Sequence, residues 1–298
     1  MSDERETILT DEVREFRQSS DVVDKNNTAS VMRERRVLSE PLSDEKARRE
    51  MSRYSRRGFL VGGVAAFIGV FGWRWMSDET KDRLLRKTLE LNERVSQTFY
   101  RPSRLAPEFP AAAVTDPTRI NGGEGLSDGF DPSTWKLAVG GLAGRTDDLL
   151  LTLDDIKRLP RTEMTTEFKC IEGWSMIVNW AGVRFSDFVA AVRPKTKSGN
   201  PADISNRPGD LLPYVSLVTP DEGYFVGWDI ESILHPQTLL AYEMNGAPLT
   251  SEHGAPLRLA SPTKYGIKQI KRIGRIEFTA ERPRDFWAEQ GYDWYAGH

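Results

Sequence analysis

Cysteine and histidine are scarce in this sequence, with one Cys and three His among 298 residues. A single thiol cannot form an intrachain disulfide, and neither a Cys-x-x-Cys-His haem sequence nor the cysteines of an iron–sulfur cluster are present. Cys170 is therefore a small packed hydrophobe, a reactive thiol or a metal ligand. Its position at the end of a strand-like run, in FKCIEGW, leaves these three alternatives open.

A strong excess of one charge is also missing, since 41 basic and 44 acidic residues give a net charge of −3. This balance gives no reason to expect nucleic acid as a partner. The length allows one large domain or two small ones. With 24 Gly, 17 Pro and 8 Trp, the composition favours short strands and turns over a helical bundle.

The first 53 residues combine many charges of both signs with a single aromatic residue, Phe16. Such a stretch cannot bury enough apolar surface to offset the entropy lost on ordering. We predict a disordered, charged tail on the cytoplasmic side over residues 1–53.

Residues 54–76 contain an apolar run that begins with SRRGFL (55–60). This beginning resembles a twin-arginine signal, whose export machinery moves folded proteins that usually carry a cofactor. A plain membrane helix with basic flanks is the alternative. The apolar residues 58–73 would span roughly 24 Å as a helix, short of the ~30 Å hydrocarbon core, and no small-x-small cleavage site follows. We predict export to the periplasmic side of the bacterial inner membrane, with the signal retained as an anchor.

After this run, Ser77 can cap a helix in which one stripe of side chains recurs at helical spacing. The stripe consists of Leu84, Thr88, Leu91, Val95 and Phe99. We predict an amphipathic linker helix over residues 77–100, with this stripe as its packing face, between the membrane and the globular part.

The rest of the chain shows short alternating runs and turn signals. The predicted strands cover 135–141, 164–170, 214–219, 257–260 and 272–279. Thr152 and Asp155 are spaced as a capping box, Asn245-Gly246 predicts a hairpin turn, and Ser186 predicts the N-cap of a helix over 187–192. Strands and helices mix without regular βαβ alternation, which predicts an α+β fold.

Basic residues dominate one stretch, because between Arg258 and Arg275 there are six Lys or Arg and no acidic residue. In a net acidic protein this block predicts an anion held nearby, although a solvated basic face gives the same composition. Arg258 lies in an otherwise apolar run, PLRLASP, and a buried arginine needs a carboxylate or phosphate partner.

Four motifs occur in a specific order: CIEGWSMIVNWAGV (170–183), YVSLVT (214–219), HGAPLRLASPTKYGIKQIK (253–271) and ERPRDFW (281–287). Together they resemble the sulfite-oxidase-like molybdopterin oxidoreductases, in particular the branch of periplasmic protein-methionine-sulfoxide reductase catalytic subunits. The resemblance covers residues 130–287. It implies a single α+β molybdopterin-binding domain of mixed sheets and short helices within residues 101–298.

The resemblance also implies a molybdenum-molybdopterin cofactor without a nucleotide extension, to which Cys170 supplies the protein thiolate. It implies catalytic positions near the metal for Cys170, Thr219 and His253, and it matches Arg258 to the residue that grips the pterin's phosphate. The implied cofactor-binding residues are Asn121, Cys170, Thr219, His253, Arg258, Gln269, Ile270 and Lys271.

Some features depart from the usual sulfite oxidases. TRINGG (118–123) lacks the histidine of their substrate-binding run, and neither a haem domain nor an immunoglobulin-like dimerisation domain is recognisable, which predicts a monomer. Glu172 and Trp174 favour the reductase branch, whereas His253-Gly254 is the sulfite-oxidase pattern.

The predicted activity is reduction of a small or peptide-borne S-oxide or N-oxide by oxygen-atom transfer at molybdenum. Because the sequence lacks its own haem or iron–sulfur motif, a membrane haem or quinone-linked partner is expected to supply the electrons. The rival predictions are a sulfite dehydrogenase that passes electrons to a cytochrome, and a metal-free, membrane-tethered binding module.

Overall fold

The computed structural model describes residues 77–298. The predicted charged tail (1–53) and the predicted twin-arginine signal or anchor (54–76) lie outside the described residues. Within residues 77–298, no helix is both long and apolar enough to cross a membrane.

Short helices and short strands alternate irregularly along the described chain. The helices are α1 (Asp78–Phe99), α2 (Leu153–Lys157), α3 (Phe185–Val192), α4 (Ile230–Ile233) and α5 (Phe286–Glu289). The strands are β1 (Leu137–Gly140), β2 (Leu149–Leu151), β3 (Arg161–Lys169), β4 (Ser175–Arg184), β5 (Tyr214–Val218), β6 (Phe225–Asp229), β7 (Leu239–Met244), β8 (Ala247–Pro248), β9 (Arg258–Ala260) and β10 (Arg275–Thr279).

The strands form two five-stranded sheets. The first sheet has the order β2-β1-β10-β5-β6, in which β1 and β10 are parallel and the other neighbours antiparallel. The second sheet has the order β3-β4-β7-β8, with β9 also paired to β7, and all of its pairs are antiparallel. The predicted α+β fold with mixed sheets and short helices is confirmed.

Two local signals are confirmed, and one is wrong. Thr152 and Asp155 form a reciprocal capping box at the start of α2. Asn245 and Gly246 both have positive φ, at 51° and 78°, as a tight hairpin between β7 and β8 requires. Ser186, however, lies inside α3, whose N-cap is Arg184, because β4 runs directly into the helix without a connecting loop.

The domain has two apolar clusters. The larger cluster combines the first sheet with α3, whose Phe185 and Phe188 are fully buried. The smaller cluster lies on the second sheet around Phe168 and Trp180, and Cys170 packs at its edge. The thiol therefore lies at the margin of a core and is only partly covered by apolar residues.

Helix α1 does not bury the stripe that the sequence predicted as its packing face. Leu91 and Phe99 are 61% and 74% exposed, and the other large apolar residues of the stripe are exposed as well. Polar residues attach the helix instead, through a Glu93–Arg282 ion pair and an Asn92–Asp293 hydrogen bond of 3.0 Å. The prediction of a packing face is wrong because polar contacts with the C-terminal segment, and not apolar burial, fix this helix.

Two buried lysines fasten the C-terminal segment to the first sheet. Lys264 Nζ lies 2.9 Å from Asp229 Oδ2 and also donates to the Tyr295 carbonyl. Lys268 Nζ lies 2.5 Å from Asp285 Oδ2 and also donates to the Trp294 carbonyl. Burial lowers the pKa of Lys268, although Asp285 opposes that shift. The lysine thus depends on its carboxylate for compensation.

Removing one partner of this pair is expected to be costly. The side chains of Lys268 and Asp285 are 0% and 2% exposed, so Lys268→Met leaves a buried, uncompensated carboxylate. We expect this change to lower the free energy of unfolding by about 3–5 kcal/mol, measured by urea titration. The double variant Lys268→Met/Asp285→Asn should recover most of the loss.

Glu289→Gln, in an exposed ion pair with Arg284, is the matched control and should leave the urea midpoint unchanged. Equal midpoints for Lys268→Met and the wild type would contradict the prediction.

Candidate cofactor site

Cys170 begins the tight turn that joins β3 to β4. Its backbone N–H donates to the Trp174 carbonyl at 2.9 Å, and its own carbonyl accepts from Gly173, whose φ of +87° favours glycine. The thiol is free and half-buried. A strand end followed by a closed turn holds the sulfur in a fixed position at the edge of the sheet.

Aromatic and charged side chains surround this turn. Trp174 stacks on Phe168 with 5.8 Å between ring centroids, and its indole N–H donates to Glu172 at 2.8 Å. The Arg119 guanidinium lies 4.4 Å from the Trp174 ring centroid. Burial raises the pKa of the Cys170 thiol, while the backbone N–H of Glu172 and the charge of Arg119 oppose the rise, and the carboxylate of Glu172 adds to it. The thiol is therefore protonated at neutral pH.

Arg258 is a buried cation that no carboxylate of residues 77–298 compensates. The residue is 2% exposed, and its guanidinium lies 4.6 Å from the Trp180 ring centroid. Nη1 donates to the His253 carbonyl at 2.9 Å and Nη2 to the Gln269 carbonyl at 3.3 Å. Nε is buried without any hydrogen-bond partner among the described residues. Burial lowers the pKa of Arg258 to about 9, so the group remains charged at neutral pH.

Lys271 lies next to Arg258 and also lacks an ion-pair partner among residues 77–298. Its Nζ donates to the Gly122 carbonyl at 2.9 Å. Burial lowers the pKa of Lys271 to about 8, and the charge of Arg258 contributes to that shift. Gly254 makes this packing possible, because a Cβ there would lie 2.6 Å from the Lys271 Cβ. Two mutually repelling cations are therefore held under one turn.

His253 lies half-buried in that turn. Burial lowers the pKa of His253 to about 4, with further contributions from Arg258 and Lys271. At neutral pH the imidazole is uncharged.

Thr219 is buried at the end of β5, where its hydroxyl organises a turn. Oγ1 donates to Asp221 Oδ1 at 2.6 Å, and the Tyr224 N–H donates to Oγ1 at 3.0 Å. Gly125 lies against this side chain, because a Cβ at Gly125 would lie 2.4 Å from Thr219 Cγ2.

Residues 119–127 connect the separate parts of the site, and we call this segment the strap. Arg119 reaches the turn of Cys170, Gly122 accepts from Lys271, and Gly125 contacts Thr219. Asn121 lies in the strap and is half-buried. The strap thus brings the thiol, the threonine and the basic side chains of distant sequence segments into one region.

Gln269 and Ile270 contribute mainly to the local fold. The Gln269 amide accepts from the Ser261 N–H at 3.2 Å and donates to the Lys264 carbonyl at 3.1 Å. Ile270 is buried, and its carbonyl accepts from the Leu259 N–H. Of the residues predicted at 269–271, only Lys271 has a charged group that reaches the strap.

The basic block predicted as one anion site divides into two sets. Lys264, Lys268 and Arg275 pair with Asp229, Asp285 and Asp148, respectively. Arg258, Lys271 and Arg272 form no ion pair with a described residue, and they surround the turn that contains His253. The predicted anion can therefore concern only the second set, and sequence alone could not separate the sets because each carboxylate lies at least 17 residues from its partner along the chain.

Sequence reasoning missed Arg119, Asp221 and Arg272. Arg272 was visible only as one member of the basic block, and Arg119 only as the first charge of TRINGG. Asp221 gave no signal. Among residues 77–298, no group of three or more His, Cys, Asp or Glu could hold a metal ion by itself.

The pKa of His253 leads to a pH prediction. An unfolded histidine binds a proton below about pH 6.5, whereas folded His253 does so only near 4. Between these values the unfolded state binds more protons, so His253 makes the free energy of unfolding fall as the pH is lowered. From pH 7 to about pH 5, the wild-type Tm should therefore fall further than that of His253→Gln.

The control for this experiment is Gln290→Ala, an exposed position that does not titrate. Its Tm should follow the wild-type Tm across the same pH range. A Tm of His253→Gln that runs parallel to the wild type would refute the low pKa.

Comparison with known proteins identifies the family to which the chain belongs. The oxidoreductase molybdopterin binding domain family matches residues 125–287. A putative protein-methionine-sulfoxide reductase subunit YedZ1 from Azospira oryzae is 30% identical over 280 residues, which cover 92% of this chain and 98% of that protein. A protein-methionine-sulfoxide reductase catalytic subunit MsrP from Campylobacter jejuni is 33% identical over 176 residues, 57% of this chain and 59% of that protein.

Among solved structures, the sulfane dehydrogenase SoxCD from Paracoccus pantotrophus aligns with a TM-score of 0.43 and 18% identity, over 61% of this chain and 46% of that one. The assignment does not depend on this weaker likeness. The family match spans more than half of the sequence, and one relative aligns over nearly its whole length. This chain therefore belongs to the molybdopterin-binding oxidoreductases and is an enzyme of that family.

Proposed function

We propose that this enzyme reduces an S-oxide or N-oxide, with Cys170 as the protein ligand of molybdenum and with Arg258 and Lys271 on the phosphate of molybdopterin. One observation carries the proposal. The two buried cations have no carboxylate partner within the part of the chain that the structure describes, and the strap that binds Lys271 also reaches the turn of the only thiol.

The residues present fit such a cofactor. A phosphate monoester is a dianion with several acceptor oxygens. It would supply the negative counter-charge that residues 77–298 do not provide for Arg258 and Lys271. The buried Nε of Arg258 is a donor still in need of an acceptor. Cys170 offers a soft sulfur, the kind of ligand that suits a thiophilic transition metal.

When bound, the molybdenum centre supplies the two-electron chemistry by which an S-oxide, two electrons and two protons give a sulfide and water. The protein residues would orient the cofactor and neutralise its negative charge. Cys170 fixes the metal end, and Arg258 with Lys271 fixes the anionic end. Thr219, held by Asp221, and the uncharged His253 border the space between these ends. We assign Asn121, Gln269 and Ile270 to cofactor contacts made largely through the backbone.

The relatives' names indicate the substrate class, since they are called protein-methionine-sulfoxide reductase subunits. We therefore favour methionine S-oxide, free or within a peptide, over an N-oxide. We further propose that the cofactor has no nucleotide extension and that the enzyme is a monomer. Both assignments derive from the sequence resemblance.

Electrons have to come from outside the chain, because the sequence has no haem-attachment motif and only one cysteine. We propose a membrane haem or quinone-linked protein as donor. The SRRGFL signal supports twin-arginine export to the periplasmic side of the inner membrane, with the apolar run 58–73 retained as an anchor near that donor.

A specific feature favours one alternative function. His253-Gly254 is the pattern of sulfite oxidases, so sulfite oxidation with transfer of electrons to a cytochrome is the second candidate. The two activities run in opposite directions and are separable by assay.

The decisive experiment measures molybdenum content and activity together. The wild type, expressed in a host that makes molybdopterin, should contain molybdenum and should oxidise a reduced dye with methionine sulfoxide. Cys170→Ser should lose activity by roughly 100-fold or more, because a hydroxyl is a poor substitute for a soft thiolate ligand. Arg258→Met should weaken cofactor binding about 10- to 100-fold, the usual effect of removing a charge-assisted hydrogen bond.

Arg275→Met is the matched control, since Arg275 belongs to the same basic block but pairs with Asp148. It should keep wild-type molybdenum. A wild type without molybdenum would support the metal-free binding module instead. Cytochrome reduction with sulfite, together with no turnover of sulfoxides, would establish the dehydrogenase.

A further inference from the structure

Arg272 connects two loops that meet over the candidate site. Its Nη1 donates to the Ser127 carbonyl at 3.2 Å, at the end of the strap. Its Nη2 donates to Ser251 Oγ at 2.7 Å, in the turn that leads to His253. Its guanidinium also lies 4.2 Å from the Phe130 ring centroid. One side chain thus ties the strap to the turn beneath which Lys271 is held.

The conformation of Arg272 indicates that this link is imposed by its surroundings. Its φ is +46°, a region that non-glycine residues rarely occupy. The residue is buried, and its Nε has no hydrogen-bond partner among the described residues. A strained backbone and an unsatisfied donor are unfavourable, so the two bonds to the loops have to compensate for both.

The strap end is also held from its other side. Burial raises the pKa of Asp221, but hydrogen bonds from Thr219, Gly223 and Ser127 outweigh it and leave that pKa below its usual value. Asp221 is therefore ionised at neutral pH, and its charge favours the charged form of Arg272. Ser127 is thus held between an anion and a cation, each of which is bonded to a different loop.

The strap is exposed in its middle and buried where it meets Thr219. Residues 122–124 are exposed, whereas Gly125 is buried against Thr219. A cofactor that contacts Cys170, Thr219 and Lys271 lies against the same segment, because the strap touches the surroundings of all three. A cofactor in this position would be released by lifting of the strap, and the hydrogen bond from Arg272 to Ser127 opposes that movement.

We propose that Arg272 is a latch, a positioning residue that keeps the strap closed over the cofactor and thereby slows its dissociation. The inference rests on the proposed function, since it needs a cofactor in that place. It assigns a role to a residue outside the cofactor-binding set that the family resemblance implies. Arg272 acts through Ser127 and Ser251 and touches no reacting atom.

The test follows cofactor retention in the loaded enzyme. Wild type and Arg272→Gln are isolated with molybdenum, diluted, and passed through gel filtration after increasing times, and molybdenum and pterin fluorescence are measured in the protein fraction. Arg272→Gln should lose the cofactor about tenfold faster, as expected for the loss of a charged donor to two acceptors. Trypsin should also cut faster after the exposed Arg119, at the other end of the strap.

Three further variants make the result specific. Arg272→Lys keeps the charge but loses the planar fork, so it should lie between wild type and Arg272→Gln. Ser251→Ala, a mild change at an exposed position, should accelerate loss in the same direction and serves if Arg272→Gln does not fold. Arg275→Gln, three residues away and outside the latch, should retain the cofactor as the wild type does.

The outcomes separate the latch from the proposed function. If the wild type holds molybdenum and both Arg272→Gln and Ser251→Ala lose it at the wild-type rate, the latch is refuted and the proposed function stands. If the wild type never holds molybdenum, the proposed function fails and the latch fails with it. Faster loss accompanied by unchanged cleavage after Arg119 would also refute the latch, because the strap would not have moved.

Discussion

Buried positive charge without a carboxylate is the constraint on which this domain depends. Among the described residues, Arg258 has only backbone carbonyls and an aromatic ring as partners, and its Nε has none. Carbonyl dipoles compensate a desolvated cation incompletely, which is why burial lowers the pKa of Arg258 to about 9. An anion bound at this place removes that deficit and stabilises the folded state by mass action. This uncompensated charge is what supports the proposed anionic ligand.

The neighbouring lysines show the contrast within the same sequence block. Lys264 and Lys268 are at least as buried as Arg258, yet each has a carboxylate within hydrogen-bond distance. These pairs join the C-terminal segment to the first sheet and leave no charge for a ligand. Whether a buried basic residue is already paired within the fold is thus decided by the position of a carboxylate elsewhere in the chain.

Sequence reasoning succeeded where the physical cause is local. The capping box of Thr152 and the Asn245-Gly246 turn depend on residues within a few positions of each other, and an arginine inside an apolar strand signals a buried charge wherever it occurs. It failed where tertiary contacts decide. The stripe on α1 is periodic but exposed, because the C-terminal segment binds the polar face of that helix. The strap could not be foreseen, since its contacts join segments 50 to 150 residues apart along the chain.

The same long-range assembly bears on the order in which the protein folds, binds its ligand and is exported. The parts of the candidate site come together only when both sheets have formed. These parts are the turn of Cys170, the end of β5 at Thr219, the basic side chains in and after β9, and the strap. A ligand that contacts all of them binds the native state and not the unfolded chain, so its binding free energy adds to folding stability. Such a ligand is acquired by a domain that is already folded. The twin-arginine export that we propose from SRRGFL fits this dependence, because a pathway that unfolds its cargo would disperse the thiol, the strap and the cations.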